Sequence, residues 1–310
     1  MEGKKSDSVF DGSGKDFEKI VFTDYEGPWV LNDFAYELCM AIFNNDRFFR
    51  NLSEFDDYLY YVVRKEGYEA GYTLKLITPF ISAVGQLEVV EKLLNNVIFI
   101  PDAKKAADRI LKFCRVVVVS TAPKKFVEET AKILGFREIY ASELEILELD
   151  DETRANLLDK VDIIASLNKE ELYRVLEEIF SRLWDKIEKI RVIGAKEKAE
   201  IMESYNPKFP IAIGDSITDC KMFEKARELN GLAIAFNGNR YAIEKADYAI
   251  VSSTALSEAV VIEKIFSGKK LEIEPRLGKI FKIRESNMEK VVKESMKMRV
   301  KLRGSAGTLG

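Results

Sequence analysis

Two pairs of carboxylates each close a short apolar run in this sequence. In "KIVFTDYEGPWV" (19–30), Asp24 and Glu26 are followed at once by Gly27 and Pro28. In "PIAIGDSITD" (210–219), Asp215 follows Gly214 and Asp219 comes four residues later. A single Asp at such a place is ordinary turn chemistry, and Asp219 also suits the cap of a following helix. If the two ends meet, however, four carboxylates share one place and repel unless a cation offsets them. A hard, oxygen-ligated ion such as Mg²⁺ does that, holding one or two protein carboxylates, several waters and phosphate oxygens. Ser120 and Thr121, which end "RVVVVST", add hydroxyls and backbone N–H groups suited to a phosphate. Lys196 and Lys198 in "GAKEKAEIM" lie near a helix start and can neutralise anionic charge. Together these residues describe a phosphate site with a metal and a carboxylate available as nucleophile.

The chemistry depends on those ends converging, which a parallel sheet provides, because ligands bind beyond the carboxyl ends of its strands. Short apolar runs rich in Val and Ile predict strands at 19–23, 115–120, 138–142, 210–215, 232–236 and 247–251. Helical patterns lie between them. "PKKFVEETAKILG" (123–135) carries Pro123 in its first turn and Gly135 just past its end. Alternating strands and helices predict an α/β fold, a Rossmann-like parallel sheet flanked by helices. The strands ending at Thr23 and starting at Arg115 lie about 90 residues apart, against the roughly 30 that a strand–helix–strand unit needs. The excess is helical in pattern and rich in aromatics, including Phe34, Tyr36, Phe43, Phe48, Phe49, Tyr58, Tyr60 and Tyr61. It predicts a second, smaller helical domain over 33–97, rooted beside the "DYEG" turn as a lid. The core then comprises 17–32 and 98–310, preceded by a polar lead-in over 1–16. An extra helical segment at 143–190 includes a long amphipathic helix that opens with a capping box from Asn168 to Glu171. The basic "MEKVVKESMKMRVKLRG" at the C-terminus reads as a solvated terminal helix. "GSGKD" (12–16) fails as a phosphate loop, since it precedes the strand and lacks the motif's first Gly and its Ser or Thr.

Composition removes several classes of function. The 310 residues contain no His, which excludes Ser-His-Asp triads, Cys-His pairs and His-ligated metals. Charges of both signs nearly cancel, 48 Lys+Arg against 52 Asp+Glu, which argues against a nucleic-acid binder. Three dispersed cysteines, Cys39, Cys114 and Cys220, read as buried thiols of a reduced protein, not as a disulfide framework. Neither a signal peptide nor an apolar run long enough to span a membrane is expected, so the location expected is cytoplasmic. Oligomeric state is not legible.

The set "VFTDYEG", "VVVVST", "KAEIM" and "IAIGDSITDCKMF…LAIAFNGN" resembles the haloacid dehalogenase superfamily, specifically its magnesium-dependent phosphatases. A cap inserted between the first and second motifs is an arrangement that superfamily uses, as in its phosphoserine phosphatases. The resemblance implies Asp24 as nucleophile, forming an aspartyl-phosphate, and Ser120 as a hydrogen-bond partner of the transferring phosphoryl group. It implies Lys198, with Lys196 as the alternative, as the steadying cation. Mg²⁺ would be held by Asp24, Asp215 and the main-chain carbonyl of Glu26, with Asp219 orienting its surroundings. The chain departs from the pattern at Glu26, where the family has Asp as general acid and base, and at Pro28, where it has Thr or Val. The extra methylene of Glu26 displaces its carboxyl by roughly one C–C bond, about 1.5 Å. The implied activity is hydrolysis of a small soluble phosphomonoester. A phosphotransferase or mutase, or a non-catalytic metabolite- or protein-binding module, are the alternatives.

Overall fold

A computed structural model describes residues 18–85 and 88–309; the expected lead-in and its "GSGKD" fragment lie outside the described residues. Seven strands form one sheet: β1 (Ile20–Thr23), β2 (Arg115–Pro123), β3 (Glu138–Ser142), β4 (Ile211–Gly214), β5 (Leu232–Phe236), β6 (Tyr248–Val251) and β7 (Lys279–Lys282). Their spatial order is β3-β2-β1-β4-β5-β6-β7. The first six are parallel, and β7 pairs antiparallel with β6 at the edge. The sequence pattern contains the six parallel strands. It hides β7, because in "KIFK" only two apolar residues lie between lysines and the strand is at most half-buried.

Among the described residues, thirteen α-helices surround the sheet. Five lie between β1 and β2: α1 (Phe34–Phe43), α2 (Asp46–Asp57), α3 (Thr73–Val84), α4 (Glu88–Leu94) and α5 (Ala103–Ile110), the last leading into β2. The others are α6 (Lys124–Leu134), α7 (Asp151–Ser166), α8 (Lys169–Ile187), α9 (Ala195–Ser204), α10 (Cys220–Glu228), α11 (Arg240–Lys245), α12 (Leu256–Phe266) and α13 (Met288–Arg303). Successive strand residues point to opposite faces, and the core divides accordingly. Val21, Val118 and Ile213 pack with Phe126 of α6, Ala106 of α5 and Ile262 of α12. Phe22, Val119 and Ala212 pack on the other face with Met202 of α9, Phe223 of α10 and Val291 of α13. Burial on both faces is why these strands read as unbroken apolar runs.

The aromatics of residues 33–97 are mostly packing. Phe34 and Phe48 are fully buried, Phe48 meets Phe80 edge-on, and Phe34 stacks on Phe126 of α6. The segment after β3 joins these helices. Helices α7 and α8 pack on α2 and α3, Tyr58 stacks on Tyr173, and Asn51 Nδ2 donates to the Ile164 carbonyl. The long helix begins as its sequence indicates, with Asn168 Oδ1 accepting the Glu171 N–H.

Helix α13 corrects the expectation of a solvated terminal helix. It buries Val291, Val292, Ser295 and Arg299, and the Ser295 hydroxyl donates to the Gly238 carbonyl at 2.7 Å. One face of this basic helix therefore lies against the carboxyl edge of the sheet. Among the described residues, no helix is long and apolar enough to cross a membrane.

Candidate active site

Asp24 stands one residue past β1, in the middle of the sheet. Its N–H donates to the Ile213 carbonyl of β4 and its Oδ1 accepts the Tyr25 N–H at 2.7 Å. The turn that follows is tight. Trp29 and Val30 both donate to the Tyr25 carbonyl, and Gly27 donates to that of Val30. The Thr23 hydroxyl anchors the turn, accepting from Trp29 Nε1 at 3.0 Å and donating to the Asp24 carbonyl. Gly27 sits at φ +95°, and a β-carbon there would lie 2.5 Å from Asp215 Cγ, so only glycine lets the two loops close on each other.

The second acidic turn is equally ordered. Asp219 Oδ2 accepts the N–H groups of Asp215 and Ser216 at 2.8 and 3.0 Å, holding the loop after β4 in one shape. Its other oxygen takes Lys198 Nζ at 2.8 Å, and the same ammonium reaches Asp24 Oδ2 at 2.9 Å and the Thr218 hydroxyl at 3.1 Å. Lys198 is fully buried on α9, whereas Lys196 is exposed and pairs with Glu200 on that helix. The structure thus brings Lys198, and not Lys196, to Asp24.

Two groups at this site belong to no motif seen in the sequence. Arg299 and Arg303, one turn apart on α13, both donate through Nη1 to Asp215 Oδ2, the latter at 3.0 Å. Arg299 also donates to the carbonyls of Asp215, Gly307 and Leu309. Arg303 donates to those of Leu31 and Asn32, where the chain leaves the core for α1. The sequence signal was available in the i, i+4 spacing of Arg299 and Arg303, which puts them on one helix face with Val292 and Ser295. Glu258 at the start of α12 is also fully buried, and both its oxygens lack a hydrogen-bond partner.

These residues surround a cavity of about 120 Å³ lined by Asp24, Glu26, Asp215, Arg299, Arg303 and, from the opposite side, Asp33, Phe49, Ser53, Asp56 and Thr73. Thr121 lines it too, its hydroxyl buried without a partner, while Ser120 is fully buried and its hydroxyl accepts the Ala122 N–H at 3.2 Å. The cap touches the core around the site. Tyr72 donates to Glu197 at 2.6 Å, Glu69 pairs with Lys221, and the Ala195 N–H reaches the Ala70 carbonyl. Glu26 is turned toward the start of α1, accepting the Phe34 N–H at 2.6 Å. Its extra methylene therefore carries the carboxyl to the first turn of α1.

Burial dominates the proton affinities. It pushes the Asp24 carboxyl up to about 7 despite the opposing charge of Lys198. Burial, then the neighbouring Asp33, holds Glu26 well above the carboxylate range, and burial beside Asp215 does the same to Glu258. For Lys198 burial disfavours the charge, but Asp219 and Asp24 outweigh it and keep the ammonium protonated.

The donor set fits a hard cation. Oxygens of Asp24, Asp215 and Asp219 lie within 4.8 Å of one another. Among the described residues Asp215 Oδ1 accepts no hydrogen bond, and the turn leaves the Glu26 carbonyl without a donor. Carboxylate and carbonyl oxygens with room for waters are what Mg²⁺ takes.

A sheet of this order, with helices inserted after its first strand and acids at the ends of β1 and β4, has the fold of the haloacid dehalogenase superfamily with a helical cap. Phosphoserine phosphatase structures match it: the apo form at a TM-score of 0.50 and a phospho-aspartyl intermediate analogue at 0.51. Each is 18% identical, covering 82% of this chain and 100% of its own. Gene product AF1437 from Archaeoglobus fulgidus is 47% identical over 94% of this chain and 99% of its own, with a TM-score of 0.88; the chain belongs to the same family as that protein. No family model and no curated protein matches the sequence.

Proposed function

We propose that the chain is a magnesium-dependent phosphomonoester hydrolase that acts on a small soluble metabolite through an aspartyl-phosphate on Asp24. One observation carries this reading: a fully buried Lys198 bridges Asp24 and Asp219 at 2.9 and 2.8 Å, with Asp215 alongside and a cavity opening onto Asp24. Asp24 Oδ attacks phosphorus as the ester P–O bond breaks, and Glu26, held protonated, gives its proton to the departing alkoxide. Glu26 then takes a proton from water, which attacks phosphorus, breaks the bond to Asp24 and leaves inorganic phosphate. Lys198 stabilises charge on the transferring group, and Thr121 and Ser120 supply donors at its edge. Mg²⁺, held by Asp24, Asp215 and the Glu26 carbonyl, would supply further charge stabilisation when bound. Asp219 fixes the loop and Lys198. The cap consists of residues 33–97 together with the 143–190 segment that packs on them, and it keeps bulk water from the site.

The test is p-nitrophenyl phosphate hydrolysis with Mg²⁺, with EDTA, and by Asp24→Asn. Activity that disappears in both EDTA and the variant is the expected result. Activity that survives Asp24→Asn rules out the aspartyl-phosphate. Phosphate transfer to an added alcohol in preference to water would instead make the chain a phosphotransferase, which shares the first half-reaction.

A further inference from the structure

The protein supplies counter-charges to its own acidic cluster. Asp24, Asp215 and Asp219 face Lys198, Arg299 and Arg303 before any cation or phosphate arrives, and Asp33 lines the same cavity near Arg303. The side chains of the six besides Asp33 are nearly or fully buried, where charges are screened far less than at the surface. Nor can the guanidinium groups readily swing aside. Arg299 is tied to the Gly307 and Leu309 carbonyls at 3.1 Å, and Arg303 to Leu31 and Asn32 at 3.1 and 2.9 Å. A divalent cation entering alone beside Asp215 therefore meets two fixed positive charges in addition to Lys198. A phosphate dianion entering alone meets the three carboxylates. Arriving together, the two charges cancel.

We infer that Arg299 and Arg303 make the divalent cation and the phosphate group bind jointly, each weakly alone and each strengthening the other. Helix α13 is then a working part of the site, ensuring that the loaded metal site forms with substrate in place. The inference rests on the proposal that this site takes a cation and a phosphate. By linkage, the factor by which phosphate tightens the cation equals the factor by which the cation tightens phosphate.

The experiment titrates Mn²⁺ into the full chain by electron paramagnetic resonance, with and without inorganic phosphate, at constant ionic strength and against protein-free blanks. Saturating phosphate is expected to raise Mn²⁺ affinity about tenfold or more. Arg303→Met should bind Mn²⁺ more tightly than wild type without phosphate and show a smaller phosphate effect, whereas Arg303→Lys, which keeps the charge, should retain it. If Arg303→Met does not fold, Arg303→Gln takes its place. Equal Mn²⁺ affinity with and without phosphate in the wild type overturns the inference and leaves the proposed hydrolase standing. Weaker Mn²⁺ binding by Arg303→Met also overturns it, since the arginine would then only orient Asp215. Absence of Mn²⁺ binding under either condition removes the metal-dependent hydrolase and this inference together.

Discussion

Replacing Gly27 by alanine tests whether the two acidic loops must touch. Gly27 lies at φ +95°, a conformation that costs an L-residue about 1–2 kcal/mol. The added methyl would also sit 2.5 Å from Asp215 Cγ, where ordinary contact begins at 3.4 Å. Because Asp215 Oδ2 lies nearer still, Asp215 or the Asp24 turn must give way by roughly 1 Å or more, and a misplacement of that size costs on the order of 10²-fold in rate. Asp215 has little freedom to absorb the shift, because Arg299 and Arg303 hold its Oδ2. Gly67 supplies the control: it has φ +70° but nothing within 4 Å of its would-be β-carbon. Gly67→Ala should lose similar stability from backbone strain while keeping turnover. The assay is kcat/KM on p-nitrophenyl phosphate beside urea unfolding for both variants. Gly27→Ala with wild-type kcat/KM, or the two variants losing activity equally, would refute the argument that loop contact positions Asp215.

Two further predictions concern buried charge. Lys198→Met leaves Asp24 and Asp219 without their shared cation, and breaking a buried ion pair from one side typically costs about 3–5 kcal/mol; a loss under about 1 kcal/mol in urea unfolding at pH 8 would contradict the bridging role. Asp56, at the end of α2, accepts hydrogen bonds from Tyr68, Gly71 and Thr73 and is pushed by burial from 3.8 up to about 7. Its folded-state value lies above its unfolded one, so the native state binds more protons between them. The stability it contributes is full below about pH 4 and is lost as pH rises through about 7, at most about 4 kcal/mol in all. Asp56→Asn removes that titration, so its unfolding free energy should fall less than that of wild type between pH 5 and pH 8; parallel pH profiles would show that Asp56 does not titrate in this range.

What was legible in the sequence was whatever repeats a local rule. The central parallel strands are apolar runs because both faces are covered, whereas the edge strand β3 is partly exposed, and the inserted helices betray themselves by the length between Thr23 and Arg115. Asp24, Asp215 and Asp219 could be drawn together because strand ends in a parallel sheet share an edge, which is a rule of topology, whereas Lys198, on α9, was placed beside Asp24 only by the resemblance. The helices α7 and α8 were legible as helices, but their packing on α2 and α3 was not. Phe55, Phe180, Tyr58 and Tyr173 meet across more than a hundred residues, and no local pattern encodes that pairing. Between Lys196 and Lys198 the sequence left a choice. Helical geometry resolves it: two residues are about 200° apart around the axis, so only one of the pair can face the core.

The C-terminal helix shows why a site read from motifs alone is incomplete. Its composition is basic throughout, and a run with Lys290, Lys293, Lys297, Lys301 and two arginines reads as solvated because Lys and Arg are almost never fully buried without a partner. The partner lies some 84 residues earlier, at Asp215, and it had been assigned to a metal. Clustered carboxylates need positive charge nearby, and the protein meets much of that need itself, with Lys198, Arg299 and Arg303. On the proposed reading, a divalent ion would serve the chemistry of phosphoryl transfer more than the stability of the cluster. If the inference holds, the arginines weaken the hold of the cluster on a lone cation, and the site would take its metal most tightly when phosphate is present.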